Sequence, residues 1–363
     1  MISYKKRFAI LIFSLLLFLF LAEIGVRLLP FFPVNAMGLV MRPDPILDHS
    51  LRPNSRGRMK SREYDVVYRI NSFGMRDELP KEKTILILGD SFMEGYGVNQ
   101  NLILAARLRA MGHNVINAGT KSYSPLLEYL FLKHRGLDLK PDTVLLFFDL
   151  SDPANDDYYS RRLIKDSDGK PERITPRRSR ILFPEGSAGE WLSEHSALYA
   201  YSVHAALKYF PMSDADIGYA GVNINMDPLF PGRDSIPDSD YFQRWDTSLV
   251  MLKEIDEFLK SKNIFFGLVT YPYGHEVSAG AWREGRKGHG FPPGVSSDRP
   301  FRFLERWAKE NHVSIFSLDK VFKAYPNPNE LYYTWDGHWT AKGHEVAAIA
   351  VDEWLRTYKK IEK

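Results

Sequence analysis

The stretch Thr84-Ile85-Leu86-Ile87-Leu88-Gly89-Asp90-Ser91-Phe92 decides the reading of this chain. Its apolar residues run without alternation and stop at a glycine, the pattern of a short strand buried on both faces. Such strands belong to parallel sheets covered by helices. A serine placed just past the strand, at a strand-to-helix turn, sits where ligands bind such sheets. There it can expose its hydroxyl and turn its backbone N–H towards a bound anion. Taken alone, Gly89-Asp90-Ser91 also fits a plain turn with a capping serine. It is not the Gly-x-Ser-x-Gly elbow.

The same rhythm continues downstream. A helical stretch is expected at about 99–111, with Leu102, Ala105, Ala106 and Leu108 mostly on one side. A second short strand follows from Asn114 to Ala118, then a helix from about Pro125 to Arg135 and a strand from Thr143 to Phe148. Further on, Leu249 to Leu259 is amphipathic, Ile264 to Thr270 strand-like, Phe303 to Asn311 helical and Val313 to Leu318 strand-like. A last helix spans about Lys342 to Tyr358, with Thr340 as its N-cap. Alternation of this kind predicts an α/β three-layer sandwich with a mostly parallel central sheet.

Two segments break the rhythm. Residues 152–245 carry many Asp, Arg, Tyr and Pro residues and read as a long insertion. Residues 274–297 are Gly-rich and hold His275, Trp282, His289 and Phe291. Loops of this length serve as lids or binding walls, or as surface decoration.

Upstream, Lys5, Lys6 and Arg7 precede an apolar run from Phe8 to Ala22, broken only by Ser14. Counting on to Leu29 reaches the roughly 20 residues a membrane span needs. Residues 1–29 are therefore expected to be a signal-anchor helix, with Glu23 and Arg27 snorkelling at the interface. A cleaved signal peptide is the competing reading, with Val34-Asn35-Ala36 as its cleavage site. The basic cluster favours a cytoplasmic N-terminus and an extracytoplasmic body. Residues 30–63, rich in Pro, Arg and Asn, read as a linker or irregular lead-in to a domain spanning 64–363. Tyr64 to Ile70 is expected to form an edge strand before the turn at Asn71-Ser72-Phe73-Gly74.

Composition narrows the chemistry. Among 363 residues there is no cysteine, which removes disulfides, thiolate metal sites and thiol nucleophiles. A net charge of +3 with both signs interspersed gives no footprint for nucleic acid. No cofactor is called for.

A serine hydroxyl is a weak nucleophile and needs a base within hydrogen-bond reach. Asp336-Gly337-His338 supplies one near the C-terminus. Histidine titrates near neutrality, so it can take and return a proton, and a carboxylate can orient it. Residues two apart in an extended segment project to one side, so Asp336 and His338 can work as a pair. The segment also fits an ordinary Asp-Gly turn. A metal held by Asp336, His338 and His344 is conceivable, without a further strong ligand nearby.

Taken together, these segments resemble the GDSL/SGNH hydrolase family, in its membrane-anchored, extracytoplasmic branch. Gly89-Asp90-Ser91-Phe92-Met93-Glu94-Gly95 matches the first block, Asn117-Ala118-Gly119 the second, and Asp336-Gly337-His338-Trp339-Thr340 with Gly343-His344 the last. Asn71-Ser72-Phe73-Gly74-Met75-Arg76-Asp77 looks like the lead-in of anchored members. The resemblance covers about residues 64–151 and 246–358 and implies a flavodoxin-like sheet. It carries Ser91 over as nucleophile, His338 as base, Asp336 as orienting acid, and the N–H groups of Ser91 and Gly119 as oxyanion donors. Where the family has Gly-Asn-Asp, this chain reads Leu150-Ser151-Asp152, so the remaining donor is expected from Ser151 or from Asn155. Losing one such donor typically costs about 10²–10³ in turnover.

The implied activity is that of a serine esterase or O-acyltransferase, acting through an acyl-enzyme on small acyl esters, acetyl in particular, of envelope or exported carbohydrate. Tyr158, Tyr159, Trp282 and Phe291 are candidates for stacking against sugar rings, or for plain loop packing. The other class is a non-catalytic surface protein that keeps the fold and binds glycan or an assembly partner. The intact Ser91, Asp336 and His338 favour the enzyme, and Ser151 in place of asparagine favours the binder.

Overall fold

A computed structural model describes residues 3–28, 34–35, 40–78, 84–175, 188–209, 242–288 and 298–361. Its centre is a five-stranded sheet in the spatial order Ser314–Ser317, Phe265–Thr270, Pro141–Phe148, Thr84–Leu88, Val115–Asn117. Every neighbouring pair is parallel. The strands are those expected from the apolar runs, and Leu86, Val144, Leu145, Leu146 and Leu268 are fully buried. Two helix groups flank the sheet: Leu104–Ala110 packs with Ala341–Ile361, while Pro125–His134 and Asp152–Ser160 pack with Asp246–Lys260. Thr340 caps the last helix as expected, its Oγ1 accepting the N–H groups of Lys342 and Gly343 at 3.2 and 3.3 Å.

Chain order reverses between Thr84–Leu88 and Pro141–Phe148, which lie side by side although the strand Val115–Asn117 comes between them in sequence. The crevice beyond the carboxyl ends of strands at such a switch point is where these sheets bind ligands. Ser91 follows one of these two strands and Ser151 the other.

The stretch from 30 to 63 is not an irregular linker over its described part. Met41–Asp44 pairs with Asp48–Leu51, and Arg56–Lys60 pairs with Asp65–Arg69, with Val34–Asn35 added alongside. The boundary expected at residue 64 therefore cuts through a hairpin. Val40, Met41, Leu51, Met59, Val66, Tyr68 and Ile70 form a small core of their own. Charged side chains alternate with these apolar ones, and an alternating hairpin with one wet face reads as polar overall.

The expected insertion also begins too early. Asp152–Ser160 is a helix built into the main body, with Asp152, Asn155, Asp156 and Tyr159 buried. Asp156 accepts hydrogen bonds from Ser124 Oγ at 2.5 Å, Leu126 N–H at 3.0 Å and Ser248 Oγ at 2.5 Å. Beyond it come a short hairpin, Leu163–Lys165 with Pro171–Ile174, and two helices, Ala188–His195 and Ala197–Tyr209. Residues 176–187 and 210–241 lie outside the described residues.

The N-terminal helix, Tyr4–Leu28, has 25 residues and is long and apolar enough to cross a membrane. Its last turns dock on the protein. Glu23 accepts the N–H groups of Ala197 and Leu198, each at 2.9 Å, and the Ser196 hydroxyl at 2.8 Å. It thus caps the helix Ala197–Tyr209 from outside that helix. Arg27 donates to the His195 carbonyl at 2.8 Å. Both charges are held by protein groups here, where free snorkelling was expected.

Arg76, in the lead-in at 71–77, is fully buried against the end of the short helix Ser91–Glu94. It donates to the carbonyls of Glu94 at 2.9 Å, Gly95 at 2.6 Å and Val98 at 2.5 Å, and lies over the Tyr68 ring at 3.8 Å. Arg76→Ala is expected to strand those carbonyls and open a cavity, costing about 3–4 kcal/mol. Thermal unfolding of the full chain in detergent, followed by circular dichroism, should then fall by roughly 6–12 °C. A fall under about 2 °C would contradict the clamp.

Candidate active site

Ser91 opens the helix Ser91–Glu94 immediately beyond Thr84–Leu88. Two glycines let that helix approach the sheet. A Cβ on Gly89, whose φ is +151°, would lie 2.5 Å from Met93 Cγ, and one on Gly119 would lie 2.6 Å from the backbone of Met93 and Glu94. Asp90 is the N-cap, its Oδ1 accepting the Phe92 N–H at 2.8 Å.

The three residues expected to act together are together. Ser91 Oγ lies 2.8 Å from His338 Nε2, across 247 positions of sequence. His338 Nδ1 lies 2.5 Å from Asp336 Oδ1. The imidazole packs against Phe92 and Tyr96, with ring centroids 4.7 Å away in each case. Gly337, at φ +91°, turns the loop between acid and base, packed against the buried Trp282. Burial pulls His338 downwards, but the Asp336 charge and its hydrogen bond outweigh burial and raise it above its ordinary value. For Asp336, burial pushes upwards, and the His338 charge with the hydrogen bonds from His338 and Tyr64 prevails and lowers it. A chain of hydroxyl, imidazole and carboxylate in this order can take a proton from Ser91 and return it to a leaving group.

Around this chain lie groups that motif reading did not single out. Ser91 Oγ is 3.3 Å from Asp90 Oδ2. The Tyr271 hydroxyl lies 3.1 Å from Asp90 Oδ1 and donates to Asp149 Oδ2 at 2.8 Å, and Tyr273 donates to Asp149 Oδ1 at 2.5 Å. Burial, then the charge of Asp149, push Asp90 up to about 7. Lys121 is lowered by burial, against the charges of Glu94, Asp336 and Asp90, and its own charge opposes protonation of His338. Nothing in the local pattern around Lys121 signals this position, because its neighbours come from distant segments.

The expected oxyanion donors fare unequally. Among the described residues the Ser91 N–H has no protein acceptor. The Gly119 N–H does not stand free: it donates to Asn117 Oδ1 at 2.9 Å, while Asn117 Nδ2 donates to the Met93 carbonyl at 2.7 Å. Gly119 is glycine for packing, and its expected donor role is corrected. Ser151 commits its N–H to Asp149 Oδ1 at 2.7 Å, and its hydroxyl, the donor expected there, is hydrogen-bonded to Tyr273. Asn155 is buried one turn further on, its Oδ1 without a hydrogen bond.

Other expectations change as well. His344 is buried, pushed down to about 3 by burial, and accepts the Leu104 N–H at 3.2 Å, so it serves the packing and does not join Asp336 and His338. Tyr159 is fully buried and donates to the Ser122 carbonyl, and Trp282 is buried with its Nε1 on the Trp335 carbonyl. Neither presents a face to a sugar. Tyr158 lies half-buried beneath Arg162. His275 is fully buried beside Tyr273 and Trp282. His289 and Phe291 fall outside the described residues. The exposed aromatic next to the acid is Trp335, 48% accessible, with Arg62 over one face.

No family model matches the sequence, and no curated protein does. Solved structures do. A lipolytic protein of the G-D-S-L family from Desulfitobacterium hafniense DCB-2 is 16% identical, with 74% of this chain and 99% of that chain covered and a TM-score of 0.38. A lipase/acylhydrolase from Enterococcus faecalis is 16% identical over 76% of this chain and 96% of its own, at TM-score 0.39. An acetyl xylan esterase is 14% identical over 74% and 98%, also at 0.39.

Proposed function

We propose that this protein is a serine esterase or O-acyltransferase working through an acyl-enzyme at Ser91. The observation that carries the reading is the unbroken hydrogen-bonded line from Ser91 Oγ through His338 to Asp336. His338 Nε2 takes the hydroxyl proton as Oγ bonds to the ester carbonyl carbon. The oxyanion is met by the Ser91 N–H, with the Asn155 side-chain amide or the Ser151 hydroxyl as second donor. Collapse expels the alcohol, which receives the proton from His338. Water or a sugar hydroxyl then attacks the acyl-enzyme, with His338 again as base, and Ser91 is regenerated.

The substrates are small acyl esters, acetyl in particular, of envelope or exported carbohydrate. Trp335 offers its free face to a sugar ring beside the acid. The helix Tyr4–Leu28 anchors the chain, with Lys5, Lys6 and Arg7 on the cytoplasmic side and the main body beyond the membrane. A non-catalytic glycan-binding reading is favoured by one observation, the commitment of the Gly119 N–H to Asn117.

Full-length protein in detergent, given p-nitrophenyl acetate, separates the two. The enzyme reading expects turnover whose kcat/KM rises through a pH above the ordinary histidine value of about 6.5, because His338 must be neutral to act as base and its pKa is raised. No turnover between pH 6 and 9 by folded protein would end it. A burst followed by slow release, accelerated by added oligosaccharide, marks the transferase.

A further inference from the structure

The loop that carries the acid is gripped by the turn of the N-terminal hairpin. Lys60 and Asp65 are paired across that turn. Ser61 closes it, its N–H donating to the Tyr64 carbonyl and its Oγ accepting the N–H groups of Glu63 and Tyr64. The turn delivers two side chains to residues 334–336. Glu63 accepts three successive backbone N–H groups: Thr334 at 2.6 Å, Trp335 at 3.0 Å and Asp336 at 2.9 Å. Tyr64 donates its hydroxyl to Asp336 Oδ2 at 3.0 Å, which leaves Oδ1 to His338. Behind them the Tyr64 ring packs on Tyr333, centroids 5.2 Å apart, and Tyr333 donates to the Gly97 carbonyl at 2.8 Å. Arg62 covers Trp335 at 4.2 Å.

We propose that Glu63 and Tyr64 are positioning residues for the triad, Glu63 fixing the backbone of the acid loop and Tyr64 fixing the rotation and charge of the Asp336 carboxylate. The proposal rests on the reading of Ser91, His338 and Asp336 as a proton-transfer chain. A carboxylate is a two-fold rotor with a broad torsional well; Oδ1 holds both His338 Nδ1 and, at 3.3 Å, the His338 N–H, and partners on that one oxygen leave the other free to swing about it. A second partner at Oδ2 sets its plane to that of the imidazole. The same bond draws charge from Oδ1, so it weakens the pull of Asp336 on the His338 proton. Burial, then nearby charges, push the Tyr64 phenol far above its ordinary value, so it stays a donor throughout the working range. Other ionisable groups around His338 are Asp90, Glu94, Lys121, His344 and Tyr96, the last stacked on the imidazole and hydrogen-bonded to Tyr64. Of these Tyr96 loses a hydrogen bond with the Tyr64 hydroxyl, and burial, the largest influence on its phenol, keeps it neutral in the variant.

The hairpin also touches the membrane-helix end, since Lys60 Nζ lies 3.2 Å from the carbonyls of Val26 and Arg27. The sample is therefore the full chain in detergent, with ¹⁵N-histidine, and His338 assigned by comparison with His338→Gln. In Tyr64→Phe the His338 titration is expected to move up by about 0.5–1 pH unit. Its kcat should fall about 10-fold with KM unchanged. Glu63→Ala is expected to lower kcat about 10²-fold at unchanged KM, and Glu63→Gln, which keeps one acceptor oxygen, to recover about 10-fold of that. Should Glu63→Ala not fold, Glu63→Gln against wild type decides, with a loss of about 10-fold expected. A His338 titration at the wild-type pH in Tyr64→Phe, or full activity in folded Glu63→Gln, overturns the proposal. The titration is read without turnover, so a chain with no esterase activity at all fails the functional reading while the shift still decides the role of Tyr64.

Discussion

Ser91→Ala is expected to lower kcat on p-nitrophenyl acetate by on the order of 10⁶-fold, with the unfolding temperature within about 2 °C of wild type. The size follows from the role. Removing a nucleophile forces water to attack directly, and the proton relay then has no covalent partner to serve. Whatever survives comes from binding and oxyanion contacts, typically 10³–10⁴ over the uncatalysed rate. Stability changes little because the hydroxyl removed is small, and Asp90 Oδ1 keeps its bond to the Phe92 N–H. The measurement is initial rate with unfolding followed on the same preparation. Residual activity above about a thousandth of wild type would place the nucleophile elsewhere.

Asp336→Asn should be the second largest effect, a fall of about 10³–10⁴ in kcat with the substrate KM within a few-fold. The carboxylate accepts from His338 Nδ1–H and so leaves Nε2 bare, facing Ser91 Oγ. An amide that turns its NH₂ to Nδ1 imposes the other tautomer, with the proton on Nε2 and no base for the serine. The substitution also removes the negative charge that stabilises imidazolium and holds the His338 pKa up. Its acid limb should therefore lie at lower pH than that of wild type. Stopped-flow rates across pH check both statements. A variant within 10-fold of wild type would mean that Asp336 only packs the loop.

The sheet was legible because its strands are buried on both faces, where apolar runs such as Thr84–Leu88 and Phe265–Thr270 stand out whatever surrounds them. Asp152–Ser160 was not, since its buried side carries carboxylates and an amide. Their partners, such as Ser124 and Ser248 for Asp156, come from other segments, and periodicity records only apolar faces. The strands of 41–60 were hidden by their Arg, Lys and Pro: Arg42 bonds Ser50 and Arg58 pairs with Asp65 on the neighbouring strands, while Lys60 reaches the carbonyls of Val26 and Arg27.

That Ser91, His338 and Asp336 would lie together was legible from residue type and from the family resemblance of their segments, because a serine hydroxyl calls for a base and a base for an acid. Their supports were not. Tyr64 reaches Asp336 across 272 positions, and no local signal marks either Tyr64 or Glu63 as anything but residues of a turn. Gly119 shows the converse limit. The sequence names the glycine, but only coordinates show its N–H donated to Asn117 and its missing Cβ as the space for Met93 and Glu94. Tyr159 and Trp282 likewise read either as sugar platforms or as loop packing, and their burial decides for packing.

The central claim is that Ser91 Oγ is made nucleophilic by His338. The most direct test is covalent labelling of the full chain in detergent by a fluorophosphonate, read by intact mass and by peptide mapping. The account predicts a single adduct on Ser91, lost in Ser91→Ala and nearly lost in His338→Ala. Folded protein that takes up no label, or takes it up equally well without the imidazole, would contradict it.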